Sequence, residues 1–184
     1  GRKFFCEEEL RLNQRTSTDF YLGVVPIGIV DGRARIGALP AVEYAVLMRQ
    51  FAPAARLDRR LAAQCVTTAE LQKLAVLLAA FHQQLPPATG IPPEQAAERA
   101  SAPALNNFEH IRGSHISAVS RRRIDTIRKW TREQAEILQP VFKQRAARGS
   151  VRECHGDLHL ANLFEQDGCI YPYDSLEFDP KLRW

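Results

Sequence analysis

Two short apolar segments near the end of the sequence most constrain how this chain can fold. Residues 162–164 read Asn-Leu-Phe and residues 169–173 read Cys-Ile-Tyr-Pro-Tyr, with Asp167-Gly168 between them. Strand-forming residues on both sides of an Asp-Gly pair are typical of a β-hairpin with a two-residue turn. Such a hairpin would begin at Asn162 and end directly before Asp174. Because the strands are antiparallel, we expect these two side chains to lie at the same edge.

A His-Gly-Asp loop precedes the predicted hairpin and adds a second carboxylate to this edge. Asp157 lies five positions before Asn162, which is one short loop away. Two carboxylates and an amide oxygen form an all-oxygen donor set, and Mg²⁺ prefers oxygen ligands together with waters and phosphate oxygens. A carboxylate close to such a metal can accept the proton of an attacking hydroxyl. The pattern predicts a magnesium-dependent site formed by Asp157, Asn162 and Asp174.

Two other interpretations of the same residues remain open from the sequence. His155 and His159 could join Asp157 in a zinc site, although the H-E-x-x-H helix spacing of many zinc enzymes does not occur. Alternatively, Asp157, Asn162 and Asp174 could serve only the local hydrogen bonds that Asp and Asn commonly make in turns.

The first fifty residues predict a helix followed by a small antiparallel sheet. A helix is expected from Phe4 to about Arg15, and Glu9 shares its partly buried face with apolar side chains, where a carboxylate needs a cationic partner. Residues 21–30 and 33–38 predict two strands joined by an Asp-Gly turn, and residues 43–51 predict a third strand.

The middle of the chain predicts helices. Thr68 is the expected N-cap of a helix that ends at Pro86-Pro87, and a weaker helical stretch covers residues 94–100. A long helical region is expected over residues 117–148, with Pro140 kinking or dividing it and Gly149 as the C-cap candidate. Residues 151–154 form a short strand-like run. The fold class is therefore α+β, with a small antiparallel sheet, a mainly helical part and a terminal β-hairpin.

Composition and charge favour a soluble cytoplasmic protein. The 184 residues carry a net charge of only +4, so the run Arg121–Arg123 is interpreted as a solvated helix face, and no nucleic-acid partner is expected. The four cysteines are widely spaced, and we expect reduced, mostly buried thiols. No apolar run approaches the length that spans a bilayer, so no membrane partner is expected.

The loop and hairpin residues match a recurring kinase pattern. The spacing H-x-D-x-x-x-x-N followed by a metal-binding Asp is the protein-kinase template, and here it is His155-Gly156-Asp157-Leu158-His159-Leu160-Ala161-Asn162 and then Asp174. Glycine at position 156 departs from the arginine of protein kinases. The form H-G-D-L-H-x-x-N resembles the aminoglycoside phosphotransferase and choline kinase family of small-molecule kinases. Further segments resemble one bacterial subfamily of it and occur in order from one end of the chain to the other: residues 5–13, 21–26, 43–51, 153–160, 173–178 and 182–184.

This resemblance implies a role for each matching residue. Asp157 would be the catalytic base, braced by His155, and Asn162 and Asp174 would hold Mg²⁺ on the phosphates of ATP or GTP. Glu177 could also touch the metal. The remaining assignments concern the nucleotide: Glu9 would pair with an ATP-binding lysine, and the backbone near Met48 and Arg49 would meet adenine.

The resemblance also implies a domain organisation and two alternative functions. Residues 1–52 would be a partial N-lobe and residues 53–184 a partial C-lobe of a protein kinase-like fold. The chain has no glycine-rich loop, strand lysine or P-loop signature, so we expect it to be a piece of a larger domain. In many relatives a P-loop ATPase domain follows the kinase-like domain, and the resemblance implies such a fused or partner domain here. The first function is transfer of the γ-phosphoryl of ATP or GTP to a small-molecule hydroxyl. The second is a catalytically inactive module that binds nucleotide or a partner and regulates the attached ATPase domain.

Overall fold

A computed structural model describes residues 1–111 and 117–184 and divides them into two compact units. The first unit contains residues 1–85 and 154–183, and the second contains residues 86–153 with Trp184. Helices and small antiparallel sheets are both present, which confirms the α+β class. The predicted division at residues 52 and 53 into two kinase lobes stays a prediction.

The first unit opens with one helix and a three-stranded antiparallel sheet, as the sequence predicts. Helix α1 spans Arg2–Asn13, and strands β1, β2 and β3 span Tyr21–Val30, Arg33–Ile36 and Ala41–Met48. Strand β1 lies in the centre, in the order β2-β1-β3. The second and third strands are each shorter than predicted.

The turn between β1 and β2 has the conformation that its sequence requires. Asp31 and Gly32 both have positive φ, at 51° and 72°, and Val30 pairs directly with Arg33. Two successive residues with positive φ form the type I′ turn, whose twist matches that of the flanking strands. The predicted hairpin is therefore confirmed at its turn.

The second hairpin uses the same chemistry near the other end of the chain. Strand β4 spans Leu163–Gln166 and strand β5 spans Cys169–Pro172, and they pair antiparallel around Asp167 and Gly168, whose φ values are 54° and 77°. Asn162, predicted as the first residue of a strand, instead ends a short 3₁₀ helix, Leu160–Asn162. Two other 3₁₀ turns span Pro53–Ala55 and Pro180–Arg183.

Two further helices complete the first unit. Helix α2, Leu57–Ala62, was not predicted, and α3 spans Thr68–Gln84. The N-cap of α3 is Thr67 rather than Thr68. The Thr67 hydroxyl accepts a hydrogen bond from the Glu70 N–H at 3.3 Å, and the Glu70 carboxylate accepts one from the Thr67 N–H at 2.7 Å. This reciprocal capping box satisfies two N–H groups at the helix start, which the prediction of Thr68 missed.

Strand β4 divides its side chains between two apolar clusters. Phe164 is fully buried in a cluster with Phe20 and Tyr21, and its ring stacks on Phe51 with the centroids 4.0 Å apart. Leu163, the neighbouring residue, packs into a second cluster. Because successive strand side chains point to opposite faces, one short strand anchors the hairpin in both clusters.

The second unit is built mainly from two helices, α4 over Pro93–Ile111 and α5 over Ala118–Ala147. Helix α5 continues through Pro140, so this proline does not divide the region, and the alternative that it kinks the helix stays a prediction. The predicted C-cap region is confirmed, because Gly149 follows the helix with a φ of 74°. The backbone of Arg152 pairs with Pro87 in an isolated β-bridge, and the rest of the predicted strand-like run at residues 151–154 is irregular.

The sequence also made predictions about the thiols and about membrane-spanning segments. All four cysteines are free, but only Cys6 is buried, and Cys65 and Cys169 are exposed. The expectation of mostly buried thiols was wrong because these two follow a helix end and a turn, where chain segments lie at the surface. Over the described ranges, none of the helices has the length and hydropathy of a membrane-spanning segment.

Candidate functional site

His155 is a buried anchor for the loop that carries Asp157. Its side chain is only 4% exposed, and its Nε2 lies 3.0 Å from the carbonyl oxygen of Tyr173. A carbonyl can only accept, so Nε2 carries the proton. The other ring nitrogen, Nδ1, then accepts from the backbone N–H of Asp157 at 3.4 Å. Burial lowers the pKa of His155, in keeping with a neutral ring that ties the loop to the end of β5.

Glycine is required at position 156 by both conformation and space. The φ of Gly156 is 88°, in the region that side-chain-bearing residues rarely adopt. A Cβ at this position would lie 3.0 Å from the Cβ of Leu176 and 3.2 Å from the Cγ of Arg183. The segment after β5 therefore packs directly against the loop backbone, and a side chain at position 156 would collide with it.

The carboxylate of Asp157 is exposed and is held from one side. The Asn162 amide nitrogen donates to the Asp157 carbonyl oxygen at 3.0 Å and to carboxylate oxygen Oδ2 at 3.4 Å. The His159 Nε2 lies 3.6 Å from the same Oδ2, while its Nδ1 accepts from the Ala161 N–H. These neighbours all approach Oδ2, and Oδ1 is the oxygen that remains for another proton donor.

The hairpin brings Asn162 and Asp174 to one edge, as the sequence predicts. Leu163 pairs with Pro172, and one step further along the ladder the Tyr173 N–H donates to the Asn162 carbonyl oxygen at 3.0 Å. Asp174 is the next residue, exposed, with a left-handed φ of 60°. The side chain of Asn162 is buried, so its amide is fixed by its bonds to Asp157.

Glu9 of α1 faces the acids that follow β5. Burial, together with the negative charges of Glu177 and Asp174, raises the pKa of Glu9 to about 7. The shift places the three carboxyl groups in one electrostatic neighbourhood. Among the described residues, no lysine or arginine forms an ion pair with Glu9, so the cationic partner expected from the sequence is not found there.

Strand β3, which was predicted to lead into an adenine site, ends at Met48. The side chain of Met48 is partly buried and packs on the aromatic cluster of Phe20, Tyr21 and Phe164. The N–H of Arg49 donates to the Phe20 carbonyl oxygen at 2.8 Å. This amide is therefore engaged within the protein. Adenine binding by the backbone near Met48 and Arg49 stays a prediction, and it would have to use groups other than the Arg49 N–H.

The donor set at this edge suits a hard cation whose remaining ligands come from elsewhere. Within residues 1–111 and 117–184, no three His, Cys, Asp or Glu side chains cluster as a ready metal site. Asn162 and Asp174 would supply an amide oxygen and a carboxylate, and Glu177 a second carboxylate. Mg²⁺ typically binds one or two carboxylates and completes its shell with waters and phosphate oxygens, so these residues fit Mg²⁺ bound together with a nucleotide.

Sequence reasoning missed a group of buried polar residues beneath the site. Asn13, Ser17 and Tyr21 are at most 1% exposed, and each hydrogen-bonds to the backbone of residues 172–175. A polar residue at the end of an amphipathic helix is common, and only its complete burial in the folded chain distinguishes it. The sequence carries no local signal for such contacts over more than 150 positions.

Comparison with known proteins finds distant bacterial relatives. The chain is 26% identical over 183 residues to the uncharacterized protein Rv2004c of Mycobacterium tuberculosis and to the uncharacterized protein Mb2027c of Mycobacterium bovis. In both cases the alignment covers 100% of this chain and 35% of the relative, so the chain spans about a third of the length of these proteins. No protein-family profile matches the chain, and no solved structure matches it significantly.

Proposed function

We propose that these residues form the catalytic and metal-binding part of a phosphotransferase of the aminoglycoside phosphotransferase and choline kinase type. The proposed reaction moves the γ-phosphoryl group of ATP or GTP to a hydroxyl group of a small molecule. The single observation that carries the proposal is the geometry around Asn162, which bonds to Asp157 through its amide at 3.0 Å and pairs with the residue preceding Asp174 through its backbone at 3.0 Å. The proposed base and the residue before the proposed metal carboxylate are thereby both held by Asn162.

In this proposal Asp157 accepts the proton of the acceptor hydroxyl through Oδ1. The hydroxyl oxygen forms a bond to the γ-phosphorus as the bond between that phosphorus and the β,γ-bridging oxygen breaks, and ADP or GDP leaves. Mg²⁺ held by Asn162 and Asp174 would neutralise the phosphate charge when bound. Phosphoryl transfer needs little more from a protein than positioning and charge neutralisation, and the buried anchors of this loop supply the positioning.

His155 acts in this proposal as a brace rather than as a base. Both ring nitrogens are already engaged, Nε2 with the Tyr173 carbonyl and Nδ1 with the Asp157 N–H. A buried imidazole with a hydrogen bond at each nitrogen cannot exchange a proton with a substrate without breaking one of these hydrogen bonds. It instead fixes the distance between the Asp157 loop and the end of β5.

Magnesium-dependent nucleotide binding tests the proposal. Isothermal titration of ATP and of GTP into the chain, in Mg²⁺ and again in EDTA, is compared between wild type and Asp174→Ala, with Asp167→Ala at the opposite end of the hairpin as the matched control. We expect Mg²⁺ to strengthen binding to wild type and to the control, and not to Asp174→Ala. Absence of nucleotide binding by wild type would contradict the proposal, and binding without phosphoryl transfer to any hydroxyl would favour the regulatory module.

A further inference from the structure

The backbone of residues 172–175 is held by side chains that all come from one N-terminal segment. Ser17 Oγ donates to the Pro172 carbonyl oxygen, the Tyr21 hydroxyl accepts from the Asp174 N–H at 3.0 Å, and the Asn13 Oδ1 accepts from the Ser175 N–H at 2.9 Å. These contacts join positions separated by 153 to 162 residues in the sequence. We call Asn13, Ser17 and Tyr21 the backbone clamp.

Burial makes each bond of the backbone clamp difficult to replace. Asn13 and Ser17 are 0% exposed and Tyr21 is 1% exposed, so water cannot take over a bond that is lost. The Asn13 amide nitrogen also donates to the Glu9 carbonyl oxygen at 2.8 Å, which orients the amide with its oxygen toward Ser175. A buried polar group left without a partner costs the full desolvation of that group, so removing one member frees the backbone it held.

The residue held between these bonds has an unusual conformation. Asp174 has a φ of 60°, and the left-handed region is unfavourable for residues with a side chain. Such conformations persist where surrounding contacts fix them, and they occur often at functional positions. The Tyr21 bond to the N–H of Asp174 and the Asn13 bond to the next N–H lie on the two sides of this strained dihedral.

We propose that the backbone clamp consists of positioning residues that fix the Asp174 carboxylate for metal binding. This inference rests on the proposed function, in which Asp174 binds the metal of a nucleotide complex. The clamp holds the peptide groups on both sides of Asp174, so its carboxylate meets the metal without first selecting a conformation. Asn13, Ser17 and Tyr21 touch neither the nucleotide nor the acceptor in this account, and they act only through the backbone of residues 172–175.

The test uses the substitution Tyr21→Phe, which removes one hydroxyl and leaves the buried ring in place. The matched control is Tyr44→Phe on β3, where the ring lies 5.5 Å from the Lys3 ammonium group and the residue pairs with Pro26 rather than with Tyr21. A second substitution, Asn13→Leu, removes the oxygen that accepts from the Ser175 N–H and keeps a side chain of similar size. The full chain is titrated with ATP in Mg²⁺ and in EDTA, and amide hydrogen exchange is followed by NMR.

We expect Tyr21→Phe to weaken binding of ATP about fivefold in Mg²⁺ and to leave binding in EDTA unchanged, the factor that corresponds to one hydrogen bond of about 1 kcal/mol. Asn13→Leu should behave in the same way, and Tyr44→Phe should resemble wild type. The Asp174 amide should exchange at least about fivefold faster in Tyr21→Phe. An equal loss in Mg²⁺ and EDTA would indicate a merely structural role and would overturn the proposal, as would unchanged binding in both.

The two proposals fail in different ways. If wild type shows no Mg²⁺-dependent binding of ATP, the proposed function fails and the metal-positioning role fails with it. The exchange rate of the Asp174 amide then still decides whether Tyr21 holds this backbone. If wild type binds ATP with Mg²⁺ and the Asp174 amide exchanges equally fast in wild type and Tyr21→Phe, the backbone clamp alone is refuted.

Discussion

The imidazole of His155 donates from Nε2 to the carbonyl oxygen of Tyr173 at 3.0 Å, across 18 positions of the sequence. This bond joins the loop that carries Asp157 to the end of the strand that precedes Asp174. Because the imidazole is buried, water cannot substitute for it. The relative position of the candidate base and the candidate metal carboxylate therefore depends on this side chain as well as on Asn162.

Substitution His155→Ala should lower the free energy of unfolding by about 2–3 kcal/mol, because it leaves the Tyr173 carbonyl buried without a donor. His155→Gln is the matched variant, because the glutamine amide nitrogen can reach the position of Nε2. Its free energy of unfolding should fall by about half as much as that of His155→Ala. Urea unfolding at pH 7.5 measures both values. Equal losses for the two variants would show that packing rather than the hydrogen bond matters at this site.

Substitution Gly156→Ala should destabilise the chain by about 2–3 kcal/mol, since it adds a methyl group to a backbone with positive φ and places it against Leu176. Gly168→Ala is the control, because Gly168 also has positive φ but nothing lies within 4 Å of the added Cβ. It should lose only about 1 kcal/mol from backbone strain. Thermal unfolding compares the two, and equal losses would contradict close packing at Gly156.

Substitution Glu9→Gln should stabilise the chain at high pH and change it little at low pH. The folded-state pKa of Glu9 is about 7, above its ordinary value of 4.5, so the folded state retains a proton that the unfolded chain releases. Stability contributed by this proton is present below pH 4.5 and is lost as the pH rises through 7. At pH 8 we expect Glu9→Gln to be about 1–2 kcal/mol more stable than wild type, after allowance for solvent screening at a partly exposed site.

The control for this prediction is Glu7→Gln, an exposed residue of the same helix that lies 3.6 Å from Lys3. Its stability relative to wild type should not change between pH 5 and pH 8. Denaturant unfolding at a series of pH values measures both variants. A difference between Glu9→Gln and wild type that is constant across this range would refute the raised pKa.

The sequence predicted the elements whose signals are local. Both hairpins were predicted because Asp-Gly turns require positive φ, which these residues adopt in the structure. The six-residue helix α2 was missed because so short a segment shows little periodicity. Pro140 suggested a break, but the helix continues through it because the favourable residues on both sides outweigh one lost hydrogen bond.

In the candidate site, too, the sequence predicted only the features whose signals are local. The placement of Asn162 beside Asp157 and of Asp174 at the same hairpin edge follows from spacing and strand pairing, which the sequence displays. The contacts of Asn13 and Tyr21 with the backbone after β5 depend on tertiary packing between distant segments. Both residues lie in segments that carry the resemblance, 5–13 and 21–26, but no pattern of spacing indicates these contacts or distinguishes the two from ordinary polar or aromatic residues.

Substitution Asp157→Asn should abolish phosphoryl transfer and preserve binding of the nucleotide. Removal of a general base typically costs a factor of about 10²–10⁴ in turnover, and the amide keeps the shape and the contact with Asn162. Asp167→Asn, in the turn at the other end of the hairpin, is the control and should leave turnover unchanged. Release of ADP from ATP, with pooled small-molecule alcohols and amino sugars as acceptors, measures turnover. Full activity of Asp157→Asn would exclude Asp157 as the base.

Paramagnetic broadening by Mn²⁺ in the presence of ATP tests the central claim most directly, because it locates the metal. The effect falls with the sixth power of distance, and strands β4 and β5 separate their two ends by about 13 Å. We predict that Mn²⁺ with ATP broadens the NMR signals of the Asn162 side-chain amide and the Asp174 backbone amide far more than that of the Gln166 side-chain amide. Uniform broadening, or stronger broadening at Gln166, would contradict a metal site formed by Asn162 and Asp174.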